Sequence, residues 1–296
     1  MAGTKQTPTK PGPFDRPLVK HRRGRSQKLS GDRFLYARIA DDVASRVLDV
    51  SRKFKRTLLL GDKHLTHLVA QNLGTKIGAI IYADFTAYSN GLDVVCDEEA
   101  LPFKAESFDL IINLMSLHGV NQVPAALAKI KTLLEPDGLF LGALFGGQTL
   151  SELRRAMYVA EEQIYGRVSP RISSMIRLDQ ATSLLAGSGF ALPVADRDLI
   201  TVNYTDLNTL YTDLRLMGET NGLLARDKAA LSARFFQLVE KIYGREHGGA
   251  TGKFDVSFEV LWLTGWRPHP AQPKPLKPGS AQTTLAGALG VQEGKF

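Results

Sequence analysis

Apolar residues recur along this chain in two rhythms that take turns. At residues 35–50, Leu35, Ile39, Val43, Val47 and Val50 fall three or four apart, the spacing of one helical face. Residues 57–60 are then a short apolar run ending at Gly61, and 64–73 return to helical spacing with Leu65, Leu68 and Val69 turned inward. Apolar runs at 77–82, 92–95, 108–114 and 139–145 predict four further strands, with a helix at 122–134. Runs apolar throughout, alternating with helices, predict a parallel sheet covered on both faces.

After Gly146-Gly147 the alternation loosens. Helical spacing marks 150–164 and 178–186, separated by a loop at 169–176 that contains Pro170. A strand is predicted at 194–204, helices at 206–217 and 226–243, and a last strand at 258–266, whose Trp262 and Trp266 read as core. Five strands, helical additions at about 150–190 and 206–245, and two late strands predict a seven-stranded sheet with an antiparallel last hairpin. The added helices are expected over the ligand edge.

Charge divides the chain. Residues 1–33 carry nine Lys/Arg and two Asp, so this segment holds the whole formal excess of +7, and residues 34–296 balance at 28 of each sign. The balance argues against a nucleic-acid-binding face on the domain. The segment with its four prolines (Pro8, Pro11, Pro13, Pro17) reads as a basic, flexible arm, either solvated or docking on an acidic partner or an anionic membrane. Residues 34–268 form the predicted domain, and the proline-rich 269–296 an extended tail. The single cysteine, Cys96, suits a reducing compartment, and no apolar run nears the roughly 20 residues of a membrane span. A cytoplasmic protein is expected.

In an open parallel sheet, ligands bind beyond the carboxyl ends of the strands. An adenosyl ligand such as S-adenosylmethionine (SAM) needs three things there: a glycine turn after strand one, an acid ending strand two for the ribose, and an acid after strand three for the adenine. Asp84 and Asp97 stand at the two acidic places, with Glu98 beside Asp97 and Phe85 able to flank a purine. The expectation is therefore an α/β, class I SAM-methyltransferase (Rossmann-like) sheet. The first turn departs from it. In Gly61-Asp62-Lys63-His64-Leu65 only Gly61 remains where three glycines are expected. Either this is a strand–helix junction that no longer holds SAM, or Asp62 and Lys63 replace backbone contacts with side-chain ones. His64 and His67 lack a third metal ligand. His118 follows strand four, where an acceptor is placed, and is the candidate acid or base, with Tyr204 a second candidate on the substrate side.

Particular runs carry a family resemblance over nearly the whole chain: Phe14-Asp15-Arg16, Asp97-Glu98-Glu99 through Leu101-Pro102-Phe103, Ser116-Leu117-His118, and Gly142-Ala143-Leu144-Phe145-Gly146-Gly147 running on to Glu152-Leu153-Arg154. Ser169-Pro170, Val202-Asn203-Tyr204 and Gly279-Ser280-Ala281 extend it. The chain resembles the mitochondrial complex I assembly factor 5 family, whose bacterial relatives are labelled type 11 methyltransferases. The resemblance implies a SAM-methyltransferase fold, a protein substrate, and a role in assembling respiratory NADH dehydrogenase. Its implied activity is hydroxylation of an arginine on the subunit beside the quinone site, on the matrix side in mitochondria. A non-catalytic assembly chaperone and an ordinary SAM-dependent methyltransferase are the alternatives.

Overall fold

A computed structural model describes residues 12–87, 91–248 and 252–273. Seven strands form one sheet: β1 (Phe54–Gly61), β2 (Ile77–Asp84), β3 (Val94–Val95), β4 (Phe108–Leu114), β5 (Leu134–Phe145), β6 (Ala191–Tyr204) and β7 (Phe254–Trp266). Their order is β3-β2-β1-β4-β5-β7-β6. The first five are parallel, while β7 runs antiparallel to both β5 and β6. Strand order reverses between β1 and β4, so the carboxyl ends of these two flank the crevice where such sheets bind ligands.

Alternate residues of each central strand feed two cores, because successive side chains leave a strand on opposite faces. Leu59, Leu110, Ile112 and Leu114 enter one core, with helices α2 (Phe34–Leu48), α3 (Lys63–Leu73), α5 (Ser151–Tyr165) and α8 (Ala233–His247). Leu58, Leu60, Phe108 and Ile111 enter the other, under α4 (Val123–Leu133) and α6 (Leu178–Gly187). Helix α6 therefore differs from the expectation of an edge insertion: it buries Ala181 and Leu185 and covers the sheet. The carboxyl edge is closed by α7 (Leu207–Leu216), from the second expected insertion, together with the 166–177 loop and the segment 217–224.

The largest departure lies in the basic segment. Residues 1–11 are outside the described part, but 12–33 are folded, with helix α1 at Arg16–Ser26. Pro17 sits in its first turn, where a missing N–H costs nothing. Asp15 caps it by accepting from the N–H of Leu18 at 3.1 Å. Phe14 pairs with Leu223, and Asp15 N donates to Gly222 O at 2.9 Å, so the entry to α1 is stitched to the segment after α7. Two smaller differences have local causes. The third strand shrinks to two residues because the Asp93 carboxylate takes the Tyr82 N–H at 2.8 Å. Helix α8 starts seven residues later than predicted, where Ser232 accepts from the N–H of Phe235. Of the tail, residues 269–273 are described. Gln272 binds Asp137 and the carbonyl of Arg267.

Candidate functional site

The first turn is a capped junction. Gly61 has φ +136°, and a Cβ there would stand 2.2 Å from the carbonyl oxygen of Leu114. Glycine is needed for the close approach of β1 to β4, independently of any ligand. Asp62 follows at once as the cap of α3, accepting from His64 N at 2.8 Å, and Lys63 is the first helical residue. Lys63, His64 and His67 line an outer cleft with Gly31, Asp32 and Arg33. The stretch of free backbone that a glycine loop offers to a methionine moiety is thus taken into the helix.

The acidic positions are engaged as well, by α1 and by Gln27, the residue that caps its end. Arg16 is buried and donates to Asp97 at 2.5 Å, to Glu98 at 2.6 Å and to the Gly119 carbonyl at 2.8 Å. Its guanidinium also lies 4.0 Å from the centre of the Phe85 ring. Arg23 approaches Glu98 at 3.5 Å and donates to the Met115 carbonyl. One turn on, Gln27 donates to Asp84 at 2.5 Å and to Thr86 at 2.8 Å. Burial pushes the Asp84 carboxyl up to about 6, against the pull of Arg23 and the Thr86 and Gln27 hydrogen bonds. Asp84, Phe85, Asp97 and Glu98 are therefore brought together as read from the sequence, but the chain's own cationic helix fills the place of the adenosyl group. In this arrangement the residues do not fit SAM.

Across the crevice the second half of the site stays open. Met115 leaves β4 with φ +52°, a left-handed conformation rare for a non-glycine residue. This turn carries His118 under the end of β5. The Phe145 N–H donates to His118 Nδ1 at 3.4 Å, and Nε2 lies 2.9 Å from Glu219 Oε2. With Nδ1 accepting, Nε2 is the nitrogen that carries a proton and donates it to the carboxylate. Burial alone would raise the Glu219 carboxyl, but the charge and hydrogen bond of His118, then Arg23, bring it below its ordinary value. Its second oxygen, Oε1, is buried and has no partner among the described residues.

Glu219 is held by the way α7 ends. Gly218, at φ +75°, donates to Arg215 O, and Glu219 N donates to Leu214 O at 2.8 Å. This pair of bonds is the Schellman closure, which fixes the residue after the glycine. Beside Glu219 opens a cavity of about 190 Å³, walled by Phe145, Leu153, Met157, Ile172, Leu214 and Phe236.

A family model described as a methyltransferase domain matches residues 63–142. Over 284 residues the chain is 34% identical to the protein named arginine-hydroxylase NDUFAF5, mitochondrial, of Danio rerio, spanning 92% of this chain and 88% of that protein. Its namesake in Homo sapiens is 35% identical over 290 residues, spanning 94% and 83%. The chain belongs to the arginine-hydroxylase NDUFAF5 family. Among solved structures it is similar to the YcgJ protein of Bacillus subtilis, with TM-score 0.53, 13% identity, and coverage of 78% of this chain and 99% of that one. At that identity the likeness shows the fold, a class I methyltransferase sheet.

Against this family background, His118 stands where the chain order placed it, at the carboxyl edge, bonded to Glu219, which lines the cavity. Tyr204 does not join it. Its hydroxyl donates to Asp213 at 2.9 Å, and burial, then the Asp213 hydrogen bond, raises its pKa, so it serves the β6–α7 junction. Asp62 and Lys63 cap and start α3. Glu219 went unread because it lies in a loop. Its one sequence signal is the Leu216-Met217-Gly218-Glu219 run closing an amphipathic helix, which predicts a glycine C-cap followed by a fixed acid.

Proposed function

We propose that this protein hydroxylates an arginine side chain on a protein partner, the subunit of respiratory NADH dehydrogenase beside the quinone site, while that complex is assembled. The observation that carries the reading is identity of 34–35% to proteins named arginine hydroxylases over more than nine-tenths of the chain. The site agrees with it in kind. Glu219 lines a cavity at the carboxyl edge and is bonded to His118, and the pair can hold or move a proton at His118 Nε2. SAM has no part in the steps assigned to these residues, since α1 occupies the acids that would bind it.

The protein acts in the bacterial cytoplasm or on the matrix side of mitochondria. Among the described residues no helix is long and apolar enough to cross a membrane. A second reading, a non-catalytic assembly chaperone on a methyltransferase scaffold, is favoured by one observation, the filled adenosyl cleft. Mass spectrometry of the quinone-adjacent subunit from cells with and without this protein separates them. Loss of one oxygen atom from an arginine supports hydroxylation. A missing methyl group overturns it in favour of methyl transfer, and an unchanged subunit in an unassembled complex overturns it in favour of the chaperone.

A further inference from the structure

We infer that the cavity lined by Glu219 and Tyr211 receives the side chain of the target arginine, with Glu219 Oε1 accepting its guanidinium and Tyr211 Oη assisting. The inference rests on the proposed hydroxylation for the kind of target, and on the cavity itself for the place.

Two polar atoms of the cavity lining are buried without a hydrogen-bond partner among the described residues, Glu219 Oε1 and Tyr211 Oη. A buried polar atom left unpaired is costly, and more so when it belongs to an ionised group. Glu219 is such a group, because its other oxygen is held by His118 at 2.9 Å. The missing partner is a donor that enters from the cavity.

The shape of the cavity narrows the choice. Leu150, Leu153 and Met157 lie on one wall, Ile172 and Met175 on another, and Phe236 closes a third. This apolar sleeve suits an unbranched methylene stem, and about 190 Å³ admits one long side chain but not a folded peptide. A guanidinium offers planar, multiple donors that can serve a carboxylate oxygen and a phenol together, which a compact ammonium does less well.

Three resident arginines lie near enough to compete. Arg171 lines the cavity, but its head is bound to Glu161 at 2.5 Å and faces Asp227 at 3.6 Å. Arg23 adds positive charge near Glu219 and is held by Glu98 and the Met115 carbonyl. Arg215 is exposed at the mouth, where solvent screens it. None of them donates to Glu219 Oε1. A guanidinium seated on Glu219 Oε1 would share that carboxylate with the His118 imidazole, which holds the other oxygen at 2.9 Å.

The test is binding of small probes to the full chain, followed by NMR or calorimetry. Nα-acetyl-arginine amide should bind, and its neutral isostere Nα-acetyl-citrulline amide roughly tenfold or more weakly. Glu219→Gln should abolish that preference while the melting temperature stays within a few degrees. Tyr211→Phe, which leaves the ring and the carboxylate in place, should weaken arginine binding severalfold and serves if Glu219→Gln does not fold. Equal binding of the two probes, arginine binding unchanged in Glu219→Gln, or no arginine binding by the wild type overturns the inference. Hydroxylation that persists in Glu219→Gln with unchanged KM removes this pocket and leaves the reaction. Glu219-dependent binding without any hydroxylated product removes the reaction and leaves the pocket.

Discussion

Replacing Arg16 by alanine measures how firmly α1 is seated in the crevice. The guanidinium makes three hydrogen bonds at 2.5–2.8 Å, two of them to carboxylates, and its side chain is 10% exposed. Removing one partner of a buried ion pair costs about 3–5 kcal/mol, because the other charge is left uncompensated. Two features lower the figure here. Glu98 keeps Arg23 at 3.5 Å, and the Asp97 side chain is 29% exposed and can rehydrate. A loss of roughly 2–3 kcal/mol remains, which for a domain of this size lowers the melting temperature by roughly 5–10 °C. Arg16→Lys should recover only part of it, since one ammonium cannot span two carboxylates and a carbonyl in the same plane. Thermal unfolding followed by circular dichroism, with and without SAM, reads both sides of the argument. A ligand present at about 100 times its Kd stabilises the folded state by about 2.7 kcal/mol, so SAM binding would be visible. The wild type should show no such shift. A variant that loses less than about 1 kcal/mol would refute the seating of α1, and a wild type stabilised by SAM would refute the filled cleft.

Three other outcomes follow from the same geometry. Gly61→Ala would put a methyl group 2.2 Å from Leu114 O at φ +136°, so a loss of about 3 kcal/mol or more is expected, read as insoluble expression or a collapsed melting temperature; a soluble variant that melts like the wild type contradicts it. Asp84 has a folded-state pKa of about 6 against 3.8 for the free side chain, so between these values the folded form holds a proton that the unfolded form has lost. Stability should therefore fall by roughly 2–3 kcal/mol as pH rises from about 4 to about 6, and Asp84→Asn should remove that slope in urea titrations across the window; parallel wild-type and variant curves would show the carboxyl is not perturbed. Tyr204→Phe should cost about 1 kcal/mol through the lost bond to Asp213 and leave the yield of hydroxylated product unchanged; a lost product at full stability would return Tyr204 to the site.

The strands were legible because their signal is apolar burial, and the order of the chain alone put His118 at the carboxyl edge. Helix α1 was invisible to the same reasoning for a physical cause. Its buried residues are Arg16, Gly24 and Ser26, so it presents no apolar stripe and docks through charge. Its four nearby prolines read as part of a flexible arm, although Pro17 occupies a first-turn position that tolerates proline. The excess of +7 in residues 1–33 reads as a flexible arm, either solvated or docking outside the chain. In the fold, Arg16 meets both Asp97 and Glu98, and Arg23 meets Glu98. Acids after the second and third strands are thus poor witnesses to an adenosyl cofactor when the same chain carries arginines able to reach them. The first turn is the better witness, because its glycines answer to a close backbone approach that no side chain can imitate. Here Asp62 caps α3, the arrangement of a strand–helix junction. The pair proposed to handle a proton, His118 and Glu219, lies across the sheet from that turn. Of that pair the sequence displayed the histidine openly, and it showed the glutamate only through the glycine before it.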